Sequence, residues 1–310
     1  MVTRMDRETR LETIRRAYAT QTMAAAGVVD RRIEAAFAAV KREDFLGPGP
    51  WQILRWDRGY EKAPSADPVY LYDDVVVAIV PERNLNNGQP SFLAALIAGC
   101  APRPGEHAVH IGIGVGYYTA ILARLVGRAG RVTAIEFDPT LAKRARTNLA
   151  AQRNIRVVHG DGTRIGFEPA DVILVNAGAT RPADIWLDRL KDGGRLILPL
   201  TGGRFPDADM QRGAVFRITR HGDEYAAERI SAVAIFPCEG MRDDASEAAL
   251  NAAFETGRVR EVRRLYRRDD VPEADCWVRG PGWCLAYRWP FWRIIYIMEN
   301  PALVSRAVSS

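Results

Sequence analysis

One stretch constrains this chain more than any other: His107 to Asp138, HAVHIGIGVGYYTAILARLVGRAGRVTAIEFD. It reads as strand, glycine turn, helix, turn, strand. The apolar run Ala108–Ile111 is the first strand, and Gly112, Gly114 and Gly116 make a G-x-G-x-G turn. A helix follows from about Tyr117 to Val126, and Gly127–Gly130 ends it. Arg131–Ile135 is a second strand, which delivers Glu136 to its carboxyl end. A turn this tight needs residues that accept positive φ and carry no Cβ, so that a ligand can approach the backbone. N–H groups at the helix start can hold a polar ligand group. An acid at the end of the next strand can take ribose hydroxyls. A glycine turn alone can be purely structural. With Glu136 in place and a second acidic turn at Asp161, the pattern reads as a nucleoside site at the carboxyl edge of a parallel sheet. Dinucleotide folds space their glycines G-x-G-x-x-G over a pyrophosphate. Here the third glycine comes one residue early, and no G-x-x-x-x-G-K-S/T phosphate loop exists in the chain.

The flanking segments extend this unit in both directions. Residues 7–26 read as a helix with Leu11, Ile14 and Tyr18 at helical spacing. Asp30 caps a second helix striped by Ile33, Phe37 and Val40. Residues 47–70 carry many Gly, Pro and Trp and read as an irregular surface segment. Tyr70–Val80 is a β-like run, Pro81–Pro90 a polar loop, and Ser91–Cys100 a helix leading into the glycine strand. After Glu136, Asp138-Pro139 starts a helix that runs to about Ala151. Ile155–His159 is a third strand ending in Gly160-Asp161-Gly162, and Asp171–Val175 a fourth ending at Asn176. Ala183–Leu190 reads as a helix and Arg195–Leu200 as a fifth strand. This alternation predicts an α/β fold: a doubly wound, Rossmann-like, mostly parallel sheet with helices on both faces. Ala214–Thr219 and Ile230–Phe236 are expected as antiparallel additions at one sheet edge. From Pro237 the pattern changes again. A helix over Ser246–Tyr266 carries Arg258, Arg260, Arg263 and Arg264, and an aromatic tail holds Trp277, Trp283, Trp289, Phe291 and Trp292. The expected organisation is an N-terminal helical, substrate-side segment over 1–90, a cofactor domain over 91–236 and a C-terminal appended subdomain over 237–310.

The bulk properties exclude several classes. Net charge is +5, from 43 basic and 38 acidic residues spread along the chain. So mild an excess is no nucleic-acid footprint. A solvated face and an aromatic mini-core account for the arginine helix and tail better than nucleic-acid stacking does. A lid that shapes the acceptor site is a further reading of 237–310. The four cysteines, Cys100, Cys238, Cys276 and Cys284, are widely spaced and form no C-x-x-C. They are expected as reduced thiols in a cytoplasmic protein, with neither a metal site nor a disulfide framework. The N-terminus is charged and lacks an apolar signal core, and no stretch is long and apolar enough to span a membrane.

Several motifs, in order, now point one way. AAAGVVDRRIEAAFAAVKREDFLGP, Tyr72-Asp73-Asp74, Gln89-Pro90 before a helix, HIGIGVGYYTAILA, the GDG at 160–162 and GGRLILPL at 193–200 all match one pattern. Over about residues 10–236 the chain resembles the protein-L-isoaspartate O-methyltransferases, which use S-adenosylmethionine. The resemblance implies that Gly112, Gly114 and Gly116 bend under the methionine part of the cofactor. It implies that Glu136 binds the ribose hydroxyls, and that Asp161 accepts from the adenine amino group with Gly162 giving room. It places the 86–90 loop, with Asn87, Gly88 and Gln89, against methyl donor and acceptor. Asn176, at the end of the fourth strand, is a further contact candidate at the ligand edge. His159 could flank adenine or simply pack. Two departures stand out. Gly88 occupies the position where the family carries a hydroxyl residue, usually Ser, and His110 stands two residues before the first glycine, where the family carries an acid. His110 lies on a buried strand and reads as a core histidine rather than a cofactor contact. Asn86 and Asn87 could hydrogen-bond a carboxylate in place of the missing hydroxyl.

The implied reaction is methyl transfer from a sulfonium to a carboxylate of a peptide or protein. An aspartyl-type acid, with a pKa of about 3.9, is already ionised at neutral pH, so no strong general base is needed. The work is positioning and desolvation. The absence of a Ser-His-Asp or paired-carboxylate constellation therefore does not argue against catalysis. Two alternatives stay open: the same fold serving a different acceptor, such as a modified peptide or small molecule, and a cofactor-binding module that has lost transfer. The oligomeric state is open as well.

Overall fold

The computed structural model describes residues 4–287, apart from 56, 84, 205–210 and 239. The expectations for Trp289, Phe291 and Trp292 therefore lie outside the described residues. The chain opens with α1 (Arg4–Ala26), α2 (Arg31–Ala39) and the short α3 (Glu43–Leu46). As the sequence predicts, Asp30 caps α2, its side chain accepting from the Arg32 N–H at 2.8 Å.

Two expectations for the next segment are corrected. Residues 47–70 contain an antiparallel hairpin, β1 (Gln52–Arg55) with β2 (Gly59–Lys62). The β-like run Tyr70–Val80 is a strand only at its end, β3 (Ala78–Val80), which pairs with β4 (Leu85–Asn86). Its first part is a 3-10 turn at Pro68–Leu71 and a bend. The reason is a competing set of partners. The fully buried Arg42 guanidinium donates to the carbonyls of Leu71, Asp73 and Val75. Carbonyls claimed by a side chain are not free to build a ladder.

The sequence-predicted α/β alternation follows: α4 (Pro90–Cys100), β5 (His107–Ile111), α5 (Tyr117–Val126), β6 (Arg131–Glu136), α6 (Pro139–Asn148), β7 (Ile155–His159), β8 (Ala170–Val175), α7 (Asp184–Asp188) and β9 (Leu190–Arg204). Asp138 caps α6 by accepting from Thr140 and Leu141 N–H, with Pro139 in the first turn. β10 (Gln211–His221) and β11 (Glu224–Ile235) add antiparallel to β9. Then come α8 (Asp244–Glu255), β12 (Arg264–Tyr266), β13 (Cys276–Gly280) and β14 (Trp283–Ala286). The expected long arginine helix stops at Glu255, because Gly257 takes a left-handed φ of 70°. Arg258–Glu261 is a 3-10 turn and Arg264 lies in a strand.

The main sheet runs β13-β14-β12-β11-β10-β9-β8-β5-β6-β7, with β9, β8, β5, β6 and β7 parallel and the remainder antiparallel. This is a Rossmann-like α/β fold with both sheet faces covered. On one face, Ala108, Val132, Ala134 and Leu174 pack with residues of α1, α2, α4, α5 and α6. On the other, Val109, Ile111, Ile173 and Phe216 pack with Trp186 of α7 and Leu250 of α8. The strand alternation that sends neighbours to opposite faces divides the two cores. Residues 264–286 continue the same sheet rather than starting another.

The cysteine expectation is corrected too. Cys276 and Cys284 form a disulfide, with their Cα atoms 6.4 Å apart. They sit on the antiparallel strands β13 and β14, where a register shift near Cys276 brings the two side chains together. Spacing in the chain carries no sign of that hairpin. Cys100 and Cys238 are buried and take no part in the disulfide.

Candidate active site

The strand order reverses at β5, which has β6 on one side and β8 on the other. In such sheets the ligand crevice opens beyond the carboxyl ends at that point. A cleft of 370 Å³ lies there. Its wall includes Gly112 and Gly114 from the glycine turn, Glu136 from the end of β6, Gly160 and Gly162 from the turn after β7, and Asn176 from the end of β8. Asn86 and Asn87 close it from the β4 side.

The glycine turn shows why glycine stands at each place. Gly112 has φ 74°, and a Cβ there would lie 3.1 Å from the Asn176 carbonyl. Gly114 has φ 56° and donates its N–H to Glu136 Oε2 at 2.7 Å. Gly116 does different work. It lies outside the cleft wall, opens α5 and abuts Leu149, whose Cδ1 would be 2.8 Å from an added Cβ. It serves helix packing rather than the cleft floor.

Glu136 is buried, and its other oxygen accepts from the Asp138 N–H at 3.0 Å. Burial raises its carboxyl above the usual carboxylate range, while the N–H donors of Asp138 and Gly114 pull the other way. The carboxylate is thus held at a fixed angle at the strand end. Asp138 also pairs with Arg83 across the rim.

The turn after β7 divides its tasks differently from the sequence expectation. Gly160 and Gly162 line the cleft, whereas Asp161 is outside its lining. Asp161 Oδ1 accepts from Thr163 N–H at 2.9 Å and from its hydroxyl at 2.7 Å. Gly240 packs against the other oxygen, where an added Cβ would be 2.7 Å away. Gly162 is pressed on Ile111, with a would-be Cβ 2.5 Å from Cγ2, and its carbonyl accepts from Trp186 Nε1 at 2.8 Å. His159 is exposed and contacts the Phe137 carbonyl. His110 is a core residue: fully buried, its Nδ1 2.9 Å from Thr119 Oγ1, its pKa pushed down to about 3 by burial.

A second pocket, of 220 Å³, opens beside the first. Gly88, Gln89, Leu54, Val76, Phe92 and Leu93 line it with the strand end Ala232–Phe236. The two pockets share Asn86, Asn176 and Phe236. The loop between them is braced by Asp74, which accepts from Gln89 Nε2 at 2.8 Å, Ser91 N–H at 2.7 Å and Ser91 Oγ at 2.6 Å. Gly88 adopts φ 71°, and its N–H donates to Asn86 Oδ1 at 2.9 Å. Sequence reasoning missed Tyr118, whose hydroxyl donates to the Gly88 carbonyl at 3.3 Å and which lines the larger cleft. It also missed Phe236-Pro237-Cys238, which close that cleft from a distant part of the chain. Their anchor is backbone pairing: Gly178 N–H donates to the Phe236 carbonyl and Cys238 N–H to the Gly178 carbonyl, each at 2.8 Å. No short motif carries that signal. Among the described residues no His, Cys, Asp and Glu group could hold a metal, and no helix is long and apolar enough to cross a membrane.

Comparison with known proteins agrees with this geometry. The family model described as protein-L-isoaspartate(D-aspartate) O-methyltransferase matches residues 17–237. The chain is 32% identical over 232 residues to the protein-L-isoaspartate O-methyltransferase of Methanoregula boonei, covering 73% of this chain and 93% of that one. It is 33% identical over 223 residues to the Rhodopseudomonas palustris enzyme of the same name, covering 70% and 89%. A solved protein-L-isoaspartate O-methyltransferase superposes with a TM-score of 0.59 at 24% identity, covering 82% of this chain and 72% of that one. A Plasmodium falciparum beta-aspartate methyltransferase structure, in complex with S-adenosyl-L-homocysteine, gives 0.55 at 18% identity, covering 73% and 98%.

Proposed function

The chain belongs to the protein-L-isoaspartate O-methyltransferase family, and from that premise we propose that it methylates the isoaspartyl carboxylate of a peptide or protein with S-adenosylmethionine. The observation that carries this reading is the pair of adjoining pockets, one floored by glycine backbone and one apolar, which meet at Asn86, Asn176 and Phe236. The residues fit an adenosyl ligand: Gly112 and Gly114 leave backbone exposed, and Glu136 presents a fixed carboxylate for ribose hydroxyls. Gly162, and Asp161 through the turn it organises, shape the adenine end. Asn176 stands between cofactor and acceptor. When bound, the cofactor supplies an electrophilic methyl on a sulfonium.

The chain's own part is to place the acceptor. Gly88 and Gln89 line the pocket that positions it, Asn87 carries the same loop into the larger cleft, and Asp74 keeps that loop still. With the cofactor bound, the sulfonium would supply the methyl group to the ionised acceptor carboxylate held by this loop, and no residue would need to remove a proton. The apolar lining of Leu54, Val76, Phe92 and Leu93 strips water from the carboxylate, and fixed placement supplies the rest of the acceleration. Cofactor binding is assigned mainly to residues 91–236, with Asn86 and Asn87 of the 1–90 segment and Pro237 and Cys238 completing the cleft.

Transfer of labelled methyl to a short isoaspartyl peptide, with the aspartyl peptide as control, tests this. Selective, base-labile labelling is the expected result. A second reading, the same chemistry on a different acceptor, is favoured by one observation: Gly88 offers no hydroxyl and its φ of 71° disfavours any other side chain. S-adenosylhomocysteine binding without labelling of either peptide would mean that the acceptor is different or that transfer has been lost.

A further inference from the structure

We propose that the side-chain amide of Asn87 holds the carboxylate at the amino-acid end of the methyl donor, an inference that rests on the S-adenosylmethionine reading of the cleft. Asn87 lines the larger cleft and not the apolar acceptor pocket. Its relative exposure is 7%, and its Nδ2 has no hydrogen-bond partner. Buried donors without acceptors are rare and costly, so this one points to an acceptor from outside the chain.

Several other polar groups on that wall are already committed. The Tyr118 hydroxyl donates to the Gly88 carbonyl, Gly112 N–H to the Ile135 carbonyl, and Gly114 N–H to Glu136. Asn176 Nδ2 donates to the Gly112 carbonyl at 3.4 Å. Among the described residues lining the cleft the one cation is Arg83, and Asp138 binds its guanidinium. A carboxylate entering this cleft therefore finds in the Asn87 amide a buried side-chain donor with no partner in the chain. His110 on β5 lies outside the lining, its Nδ1 bonded to Thr119 and its buried Nε2 without a partner.

The position agrees with the chemistry of the ligand. A sulfonium carries its methyl, its ribosyl carbon and its amino-acid arm on one atom. With the ribose at Glu136 and the methyl aimed at the pocket beyond Asn86 and Asn176, the arm begins at that same junction. Asn87 is adjacent to it in the chain. Its backbone is pinned, N–H donating to the Val77 carbonyl at 2.8 Å, so the amide is held in place before the ligand arrives.

Calorimetric titration separates this role from others. S-adenosylhomocysteine and 5′-methylthioadenosine share nucleoside and sulfur, but the second lacks the amino-acid arm. Each is titrated into the full-length wild type, Asn87→Leu and Asn87→Asp, with thermal melts alongside. Asn87→Leu should weaken S-adenosylhomocysteine about tenfold, as loss of one charge-assisted hydrogen bond does, and leave methylthioadenosine within about twofold. Asn87→Asp keeps the side-chain shape but opposes like charges, and should weaken S-adenosylhomocysteine further with no matching loss for methylthioadenosine. Equal losses for both ligands, or unchanged S-adenosylhomocysteine affinity in both variants, overturn the proposal alone. A wild-type protein that binds neither ligand overturns the cofactor reading and the proposal with it.

Discussion

Restoring the family hydroxyl by Gly88→Ser should damage this protein. Gly88 sits at φ 71°, where an L-residue costs about 1–2 kcal/mol. A Cβ there would also lie 2.8 Å from Leu93 Cδ2, and Leu93 is 1% exposed, so it must leave its rotamer at about 0.5–1.5 kcal/mol more. The total is about 2–3 kcal/mol. For a chain of 310 residues, an unfolding entropy of about 2.1 cal/mol/K per residue turns that into a melting shift of about 3–5 °C downward. Kinetics should move in the same direction. The Gly88 carbonyl accepts from Tyr118, and its neighbours Gln89 and Ser91 hang on Asp74, so a shifted loop disturbs the acceptor pocket. The assay is thermal unfolding beside steady-state transfer to an isoaspartyl peptide, with Gly88→Ala as the control that adds Cβ without the hydroxyl. Both variants should melt lower by similar amounts and lose kcat/KM for the peptide. An unshifted melting temperature together with a raised kcat/KM for Gly88→Ser would refute the reasoning.

Other expectations follow from buried groups. His110 has a folded pKa lowered from 6.5 to about 3, so below the unfolded value the unfolded chain takes up a proton that the folded chain refuses. Its contribution to stability is complete above that value and is lost as pH falls towards 3, by about 3 kcal/mol at pH 4. Denaturant unfolding at pH 7 and pH 4 should show a smaller acid loss in a His110→Asn protein, and equal losses would count against the burial argument. Arg42→Met strips the donors from the Leu71, Asp73 and Val75 carbonyls and should cost about 3 kcal/mol or more. Peptide KM should rise with it, because the same segment carries Asp74; a stability change with peptide KM untouched would break that link.

Much of the cofactor half was legible in the sequence because its rules are local. Positive-φ glycines, the Asp30 and Asp138 caps, and an acid at the end of β6 are set by backbone sterics and by partners a few residues away. These signals survive in a linear reading. The acceptor half was less legible. Tyr70–Val80 has strand-like composition, yet Arg42 from an earlier helix end takes the carbonyls that a strand would use. Gly257 ended the arginine helix early, a local signal that the apolar and basic pattern around it obscured.

By itself, the sequence determined the βαβ order, the glycine turn, the position of Glu136 and the family pattern, since each depends on short-range geometry. Tertiary structure alone decided which of the candidates line the cleft. Gly116 turned to Leu149, Asp161 to its own turn, and Asn87 to the larger cleft rather than the apolar pocket. It also brought Phe236-Pro237-Cys238 and Tyr118 to the walls, and Cys276 to Cys284. The physical reason is the same in every case. A side chain's direction is set by what packs against it, whether that partner is tens of residues away, as Leu149 is for Gly116, or close in the chain but fixed by a turn, as Thr163 is for Asp161.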